Sequence, residues 1–122
     1  MKNIRKRAQQ VLDTEAKAVL ALKKHINKSF KDALDLILRS QGRVVVSGMG
    51  KTGIIAQKLS ATLSSTGTPS LFLHSAEAVH GDLGRVTKDD VIIVLSNSGS
   101  TDEIKKLMPL LKKIGSKIIA LT

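Results

Sequence analysis

The 122-residue sequence contains no cysteine, tryptophan or tyrosine, and its only aromatic side chains are Phe30 and Phe72. Without thiols it can form neither a disulfide framework nor a thiolate metal site. Two isolated phenylalanines cannot build the stacked platform that single-stranded nucleic acid requires. No stretch approaches the roughly 20 apolar residues that span a bilayer, and no apolar core of about 7 to 15 residues follows the basic N-terminus, as a secretory signal would need. The expectation is a soluble, cytoplasmic protein with no membrane partner.

Acidic residues are also scarce, 10 against 20 Lys and Arg, for a net charge of +10. Residues 1–31 hold nine of the basic residues against Asp13 and Glu15, so +7 of that charge belongs to one segment. No base-reading motif accompanies it, so the segment reads as a solvated helix face and nucleic acid is not an expected partner. A positive field of this kind also draws in phosphorylated metabolites.

The length suits one domain with one core. Ile4, Ala8, Val11, Leu12, Ala16, Val19, Leu20 and Leu22 recur at three- and four-residue steps, which predicts an amphipathic helix from Ile4 to Ile26. Phe30, Leu34, Ile37 and Leu38 form a second helical stripe that Gly42 ends, giving an N-terminal helical hairpin over residues 1–41. From residue 42 the pattern changes to short β-branched runs: Val44 to Val46, Ser70 to Leu73, Val91 to Leu95 and Lys117 to Leu121. Helical spacing over Thr52 to Ser65 and Asp102 to Ile114 separates them, with a turn at Gly67-Thr68-Pro69. This alternation predicts an α/β fold, a doubly wound parallel sheet of about four strands flanked by helices, over 42–122. A fourth strand reaching Thr122 with no covering helix reads as a core that is incomplete at its C-terminus.

Gly48-Met49-Gly50-Lys51-Thr52-Gly53 follows the first strand and opens a helix. It satisfies the spacing of a dinucleotide loop, but the second strand ends in His74-Ser75 where that fold wants an acidic residue for the ribose. A P-loop would need glycine at position 45, which is Val45. What remains is a close backbone approach at Gly48 and a helix N-terminus suited to an anion, with Lys51 adding a mobile charge. The plainer reading is a tight strand-to-helix turn.

Ser96-Asn97-Ser98-Gly99-Ser100-Thr101 places four hydroxyls between the third strand and its helix, the composition of a phosphate cradle in which Ser96, Ser98 and Thr101 bind the ligand. One hydroxyl there would serve as an ordinary N-cap; four exceed that need. A third segment, His74 to Asp82, brings two imidazoles and two carboxylates, Glu77 and Asp82, to the ligand side of the sheet. Such groups can relay protons. The six-residue separation of His74 and His80 is not the i, i+4 pair of a helical metal site. His25 reads as a surface residue.

Together these segments resemble the sugar isomerase (SIS) domain, and within it the D-arabinose 5-phosphate isomerases of the KpsF/GutQ type. The likeness runs over nearly the whole chain, through Gly48 to Gly53, Ser65-Thr66-Gly67-Thr68-Pro69, Glu77 to Gly84 and Ser96 to Gly99. It implies a single flavodoxin-like SIS domain over residues 1–122 and interconversion of D-arabinose 5-phosphate and D-ribulose 5-phosphate through an enediol. That reaction feeds synthesis of the sugar Kdo for lipopolysaccharide or capsule. It further implies a homo-oligomer and no required cofactor. By the resemblance Lys51 and Glu103 fall on catalytic positions, and Gly67, Thr68, His74 and His80 on sugar-binding ones. His74 also falls on a position that takes zinc, inhibitory rather than catalytic. Glu103 or His80 would be the base, and Lys51 would steady the enediolate or hold the phosphate.

The chain departs from the family where its serine loop runs Gly99-Ser100 in place of Gly-Glu. The family's remaining catalytic glutamate and histidine belong to sequence past Thr122, so the chain reads as the N-terminal piece of an isomerase, its own turnover open. The other reading is a non-catalytic phosphosugar-binding regulatory module, which has no need of the His74 to Gly84 segment.

Overall fold

A computed structural model describes residues 3–122; Met1 and Lys2, part of the basic N-terminal segment, lie outside them. The chain divides into two compact units, one through Leu34 and one from Asp35 to Thr122.

In the first unit, Asn3 caps α1 (Ile4–Ala21) by accepting the Lys6 N–H at 3.2 Å. The sequence pattern predicts one helix to Ile26, but the α-helical hydrogen bonds stop five residues earlier. Leu22–His25 tighten into a 3₁₀ turn and Ile26 leaves the helical region. The reason lies just beyond, where Asn27 accepts the Phe30 N–H at 3.2 Å and starts α2 (Lys28–Arg39). A side chain committed to capping the next helix ends the previous one. No described residue of α1 is buried.

The second unit is built on four parallel strands, β1 (Val44–Gly48), β2 (Ser70–His74), β3 (Val91–Leu95) and β4 (Lys117–Leu121), in the order β2-β1-β3-β4. β1 and β3 are buried throughout, which is why Val44 to Val46 and Val91 to Leu95 read as apolar runs. Strand periodicity sends alternate residues to opposite faces. Val45, Leu73, Ile92 and Val94 form one core with Ile104, Leu107 and Leu111 of α5 (Asp102–Ile114). Val44, Val46, Ile93 and Leu95 form the other with Ala56 of α3 (Gly50–Ser65) and Ile37 of α2. The sheet is therefore covered on both faces, as a doubly wound fold requires. Ile37 explains why the unit boundary falls inside α2 and not at Gly42.

The segment from His74 to Arg85 carries structure that periodicity is too short to show, a one-turn helix α4 (Ser75–Ala78) and a 3₁₀ turn over Asp82–Arg85. At the N-terminal edge of the sheet, buried Asp90 accepts the Arg43 N–H at 2.7 Å and the Thr87 N–H at 2.8 Å. The Arg43 guanidinium, 3.5 Å from that carboxylate, also donates to the Arg85 carbonyl at 2.6 Å. Burial pushes the Asp90 carboxyl up, but the two backbone donors and the guanidinium outweigh it and hold the pKa below the ordinary value. Pro109 lies inside α5, yet it and Lys105, whose carbonyl it leaves without an N–H, are both exposed, which keeps that carbonyl open to solvent.

Candidate functional site

In the order β2-β1-β3-β4, successive connections leave β1 in one direction and β3 in the other. α3 packs on one face and α5 on the opposite one. A crevice must then open beyond the C-terminal ends of β1 and β3, the switch point where ligands of such sheets bind. A cavity of about 340 Å³ lies there, lined by Met49, Lys51 and Thr52 from the first loop and by Leu95, Ser96, Asn97, Ser98, Thr101 and Ile104 from the second. A volume of this order admits a small metabolite. A neighbouring recess of about 300 Å³ shares Thr52, Leu95, Ser96 and Asn97 and extends to Leu121 and Thr122.

The glycine loop is shaped by backbone contact. A Cβ at Gly48 would stand 3.0 Å from the Thr52 carbonyl carbon, and one at Gly53 would stand 3.3 Å from Gly48, so strand end and helix start pack closely and a side chain at either would push the facing backbone aside. Thr52 turns its hydroxyl back to the Met49 carbonyl at 2.7 Å, which fixes the first turn of α3 and leaves Lys51 exposed at the rim.

The serine loop is shaped by its own hydroxyls. Ser96 accepts the Gly99 N–H at 2.8 Å and Ser98 accepts the Ser100 N–H at 3.3 Å, with Gly99 at φ 68°, where a side chain would strain the turn. Ser96 is buried and its N–H is tied to Leu121 at 3.0 Å, so β4 anchors the loop. Both hydroxyls act as acceptors in these bonds and keep their protons for a ligand oxygen. Thr101 occupies the N-cap position of α5, but its side chain makes no capping bond. The ordinary explanation for a threonine before a helix therefore does not apply, and the first-turn N–H groups of α5 are left to solvent or to a ligand. Asp102 and Glu103 in that turn balance the helix dipole and oppose a second anion, which makes the cationic Lys51 across the cavity the compensating charge.

Of the residues singled out from the sequence, Lys51, Ser96, Ser98 and Thr101 come together around this cavity. Gly48 sits buried beneath the first loop. Glu103 is half-buried in the first turn of α5, next in sequence to the lining residue Ile104, and is not itself a lining residue. His74 ends β2, the strand beside β1, and His80 is exposed beyond α4; neither lines the cavity. Gly67 and Thr68 precede β2, at the far end of the 16-residue α3 and about 24 Å along that helix from the cavity. Met49, Leu95, Asn97 and Ile104 are lining residues that sequence reasoning did not single out: Met49 and Asn97 are loop side chains with no pattern of their own, and Leu95 and Ile104 read as core positions of β3 and α5.

The histidine segment does not assemble a metal site. Among the described residues no group of three His, Asp or Glu side chains stands close enough to hold an ion, and His74 Nδ1 is already engaged, accepting the Ala76 N–H at 3.2 Å. The donors present do not fit zinc.

The SIS domain matches residues 37–122, the sheet and its helices. The chain is 53% identical over 115 residues to the arabinose 5-phosphate isomerase KdsD of Pseudomonas aeruginosa and 50% identical over 114 residues to the arabinose 5-phosphate isomerase KpsF of Escherichia coli. These alignments cover 94% and 93% of this chain but only 35% of either relative, so the chain spans about a third of their length. A solved structure of Escherichia coli CFT073 c3406 in complex with arabinose 5-phosphate superposes with a TM-score of 0.90 at 47% identity, over 98% of this chain and 65% of that one. Phosphoheptose isomerase GmhA of Neisseria gonorrhoeae, at 15% identity, shares the fold with a TM-score of 0.81 over 97% of this chain and 74% of that one. The doubly wound sheet, its switch-point cavity and these likenesses have one explanation: the chain belongs to the SIS domain family.

Proposed function

We propose that the chain is the phosphosugar-binding part of an aldose-ketose isomerase acting on D-arabinose 5-phosphate and D-ribulose 5-phosphate in the cytoplasm. The observation that carries this reading is the convergence of Lys51 and the hydroxyls of Ser96, Ser98 and Thr101 on one cavity at the switch point. Donors of this kind suit a phosphate or a polyol and offer an apolar cofactor ring little beyond Met49, Leu95 and Ile104. The similarity to proteins named arabinose 5-phosphate isomerase supports the choice of pentose.

In the reaction, a base removes the proton on C2 of the aldose while the C1 oxygen gains one, giving the enediol. The proton then returns at C1 and the C2 hydroxyl becomes the ketose carbonyl. Lys51 is the group placed to stabilise negative charge on the enediolate or the phosphate. Glu103, in the first turn of α5 beside the lining residue Thr101, and His80 are the candidate bases. Gly67 and Thr68, at the opposite end of α3, meet a ligand in this cavity only from a second copy, which is the ground for reading the working form as a homo-oligomer.

Thermal unfolding in the presence of arabinose 5-phosphate, ribulose 5-phosphate, unphosphorylated arabinose, NAD or a DNA duplex tests the reading. Only the pentose phosphates should raise the midpoint, by the equivalent of about 2.7 kcal/mol at a hundredfold excess over Kd. Lys51→Ala should abolish most of that shift. Stabilisation by NAD or DNA alone overturns the reading, and stabilisation by pentose phosphate without turnover assigns the chain to binding only.

A further inference from the structure

Among the described residues, His74 is the one imidazole whose ring has a defined hydrogen-bonded place. It is the N-cap of α4, with φ −65° and ψ 126°, and its side chain accepts the Ala76 N–H through Nδ1 at 3.2 Å. Its ring meets Phe72 edge-on, at 6.3 Å between centroids and 87° between planes. One residue on, Ser75 is buried and its hydroxyl pairs with that of Ser47 on β1 at 3.0 Å. The single turn of α4 is therefore pinned twice at its start, by an imidazole and by a buried hydroxyl pair. It leads directly into Glu77 and His80.

We propose that His74 is a positioning residue, whose Nδ1 caps α4 and thereby fixes the neutral ring in the tautomer that carries its proton on Nε2. An atom that receives an N–H must present a lone pair, and in neutral imidazole the proton then resides on the other nitrogen. The ring consequently offers a ligand one N–H, suited to a hydroxyl, carbonyl or phosphate oxygen, and no free lone pair for a metal. Binding a divalent ion through Nε2 would move the proton to Nδ1, facing it against the Ala76 N–H and releasing the cap. Metal capture and the His74 cap of α4 exclude each other. The tautomer does not depend on the phosphosugar reading, so either can fail without the other.

Long-range ¹H–¹⁵N correlation of the imidazoles in the ¹⁵N-labelled full chain, at a pH of about 8 where unperturbed histidine is neutral, reads the tautomer directly. His25→Gln and His80→Gln spectra assign the three rings. The expected pattern for His74 is a single Nε2–H tautomer with an acceptor-type Nδ1, unmoved by one equivalent of zinc. An Nδ1–H tautomer, a signal averaged over both, or a stoichiometric zinc shift at His74 overturns the proposal. Two variants separate capping from bulk. His74→Ala should lower the thermal midpoint by about 3–5 °C, the usual effect of a lost cap. His74→Asn, which restores a capping oxygen, should recover at least half of that loss. Equal losses in the two variants count against the cap.

Discussion

The two compact units teach opposite lessons from similar sequence patterns. α1 carries an apolar stripe as regular as any in the chain, yet Ile4, Leu12, Val19 and Leu20 are all more than 60% exposed. β1, β3 and α5 carry shorter patterns, and Val45, Ile92, Leu107 and Leu111 are fully enclosed. Periodicity fixes which face of an element is apolar; only a second apolar surface makes that face a source of stability. The ion pairs divide in the same way. Lys28 and Asp32 meet at 2.6 Å with side chains 85% and 53% exposed, whereas Asp90, at 2%, is held by backbone donors as well as by Arg43.

The largest effect should come from truncating the core. Leu107→Ala removes a fully buried side chain between α5 and the sheet and should cost about 3–4 kcal/mol in urea unfolding. Leu12→Ala on α1, where the side chain is 69% exposed, should cost less than about 0.5 kcal/mol. Comparable losses at the two positions would show that the stripe of α1 is buried in solution, and the contrast between the units would fall.

Next in size is Asp90. Asp90→Ala leaves the Arg43 and Thr87 amides unpaired in a buried place and should cost about 2–4 kcal/mol. The carboxyl's folded pKa is depressed, so its contribution is fully present above the unfolded value of roughly 3.9 and is lost as pH falls through the folded value. Acid titrations of wild type and Asp90→Asn, followed by circular dichroism, should therefore converge at low pH. A difference that persists undiminished there would locate the effect in packing.

How much of this was legible beforehand depends on the length of each signal. The four strands, α3 and α5 were readable because β-branched runs and helical spacing persist over five to sixteen residues. The bend after Ala21 was not, since it is set by Asn27, a single capping side chain that leaves no mark on periodicity. Nor was α4, whose four residues are fewer than a repeat can register. At the site, the two loops announced themselves by glycine and hydroxyl composition, and the fold brought them to one cavity. Gly67 and Thr68, close to His74 along the chain, stand at the opposite end of β2, because a strand carries its two flanking turns to opposite edges of the sheet.

The smallest stability effect, and the sharpest one for the site, is expected at Thr101. A threonine at an N-cap normally contributes about 1 kcal/mol through its side-chain oxygen, but here that bond is not made. Thr101→Ala should consequently change the unfolding free energy by less than about 0.5 kcal/mol. If its hydroxyl serves a ligand instead, the same variant should weaken pentose phosphate binding several-fold, since a lost hydrogen bond to a charged group amounts to about 1.5–3 kcal/mol. Urea melts and calorimetric titration on one preparation measure both quantities. A normal capping loss with unchanged binding would make Thr101 a structural residue and narrow the cradle to Lys51, Ser96 and Ser98.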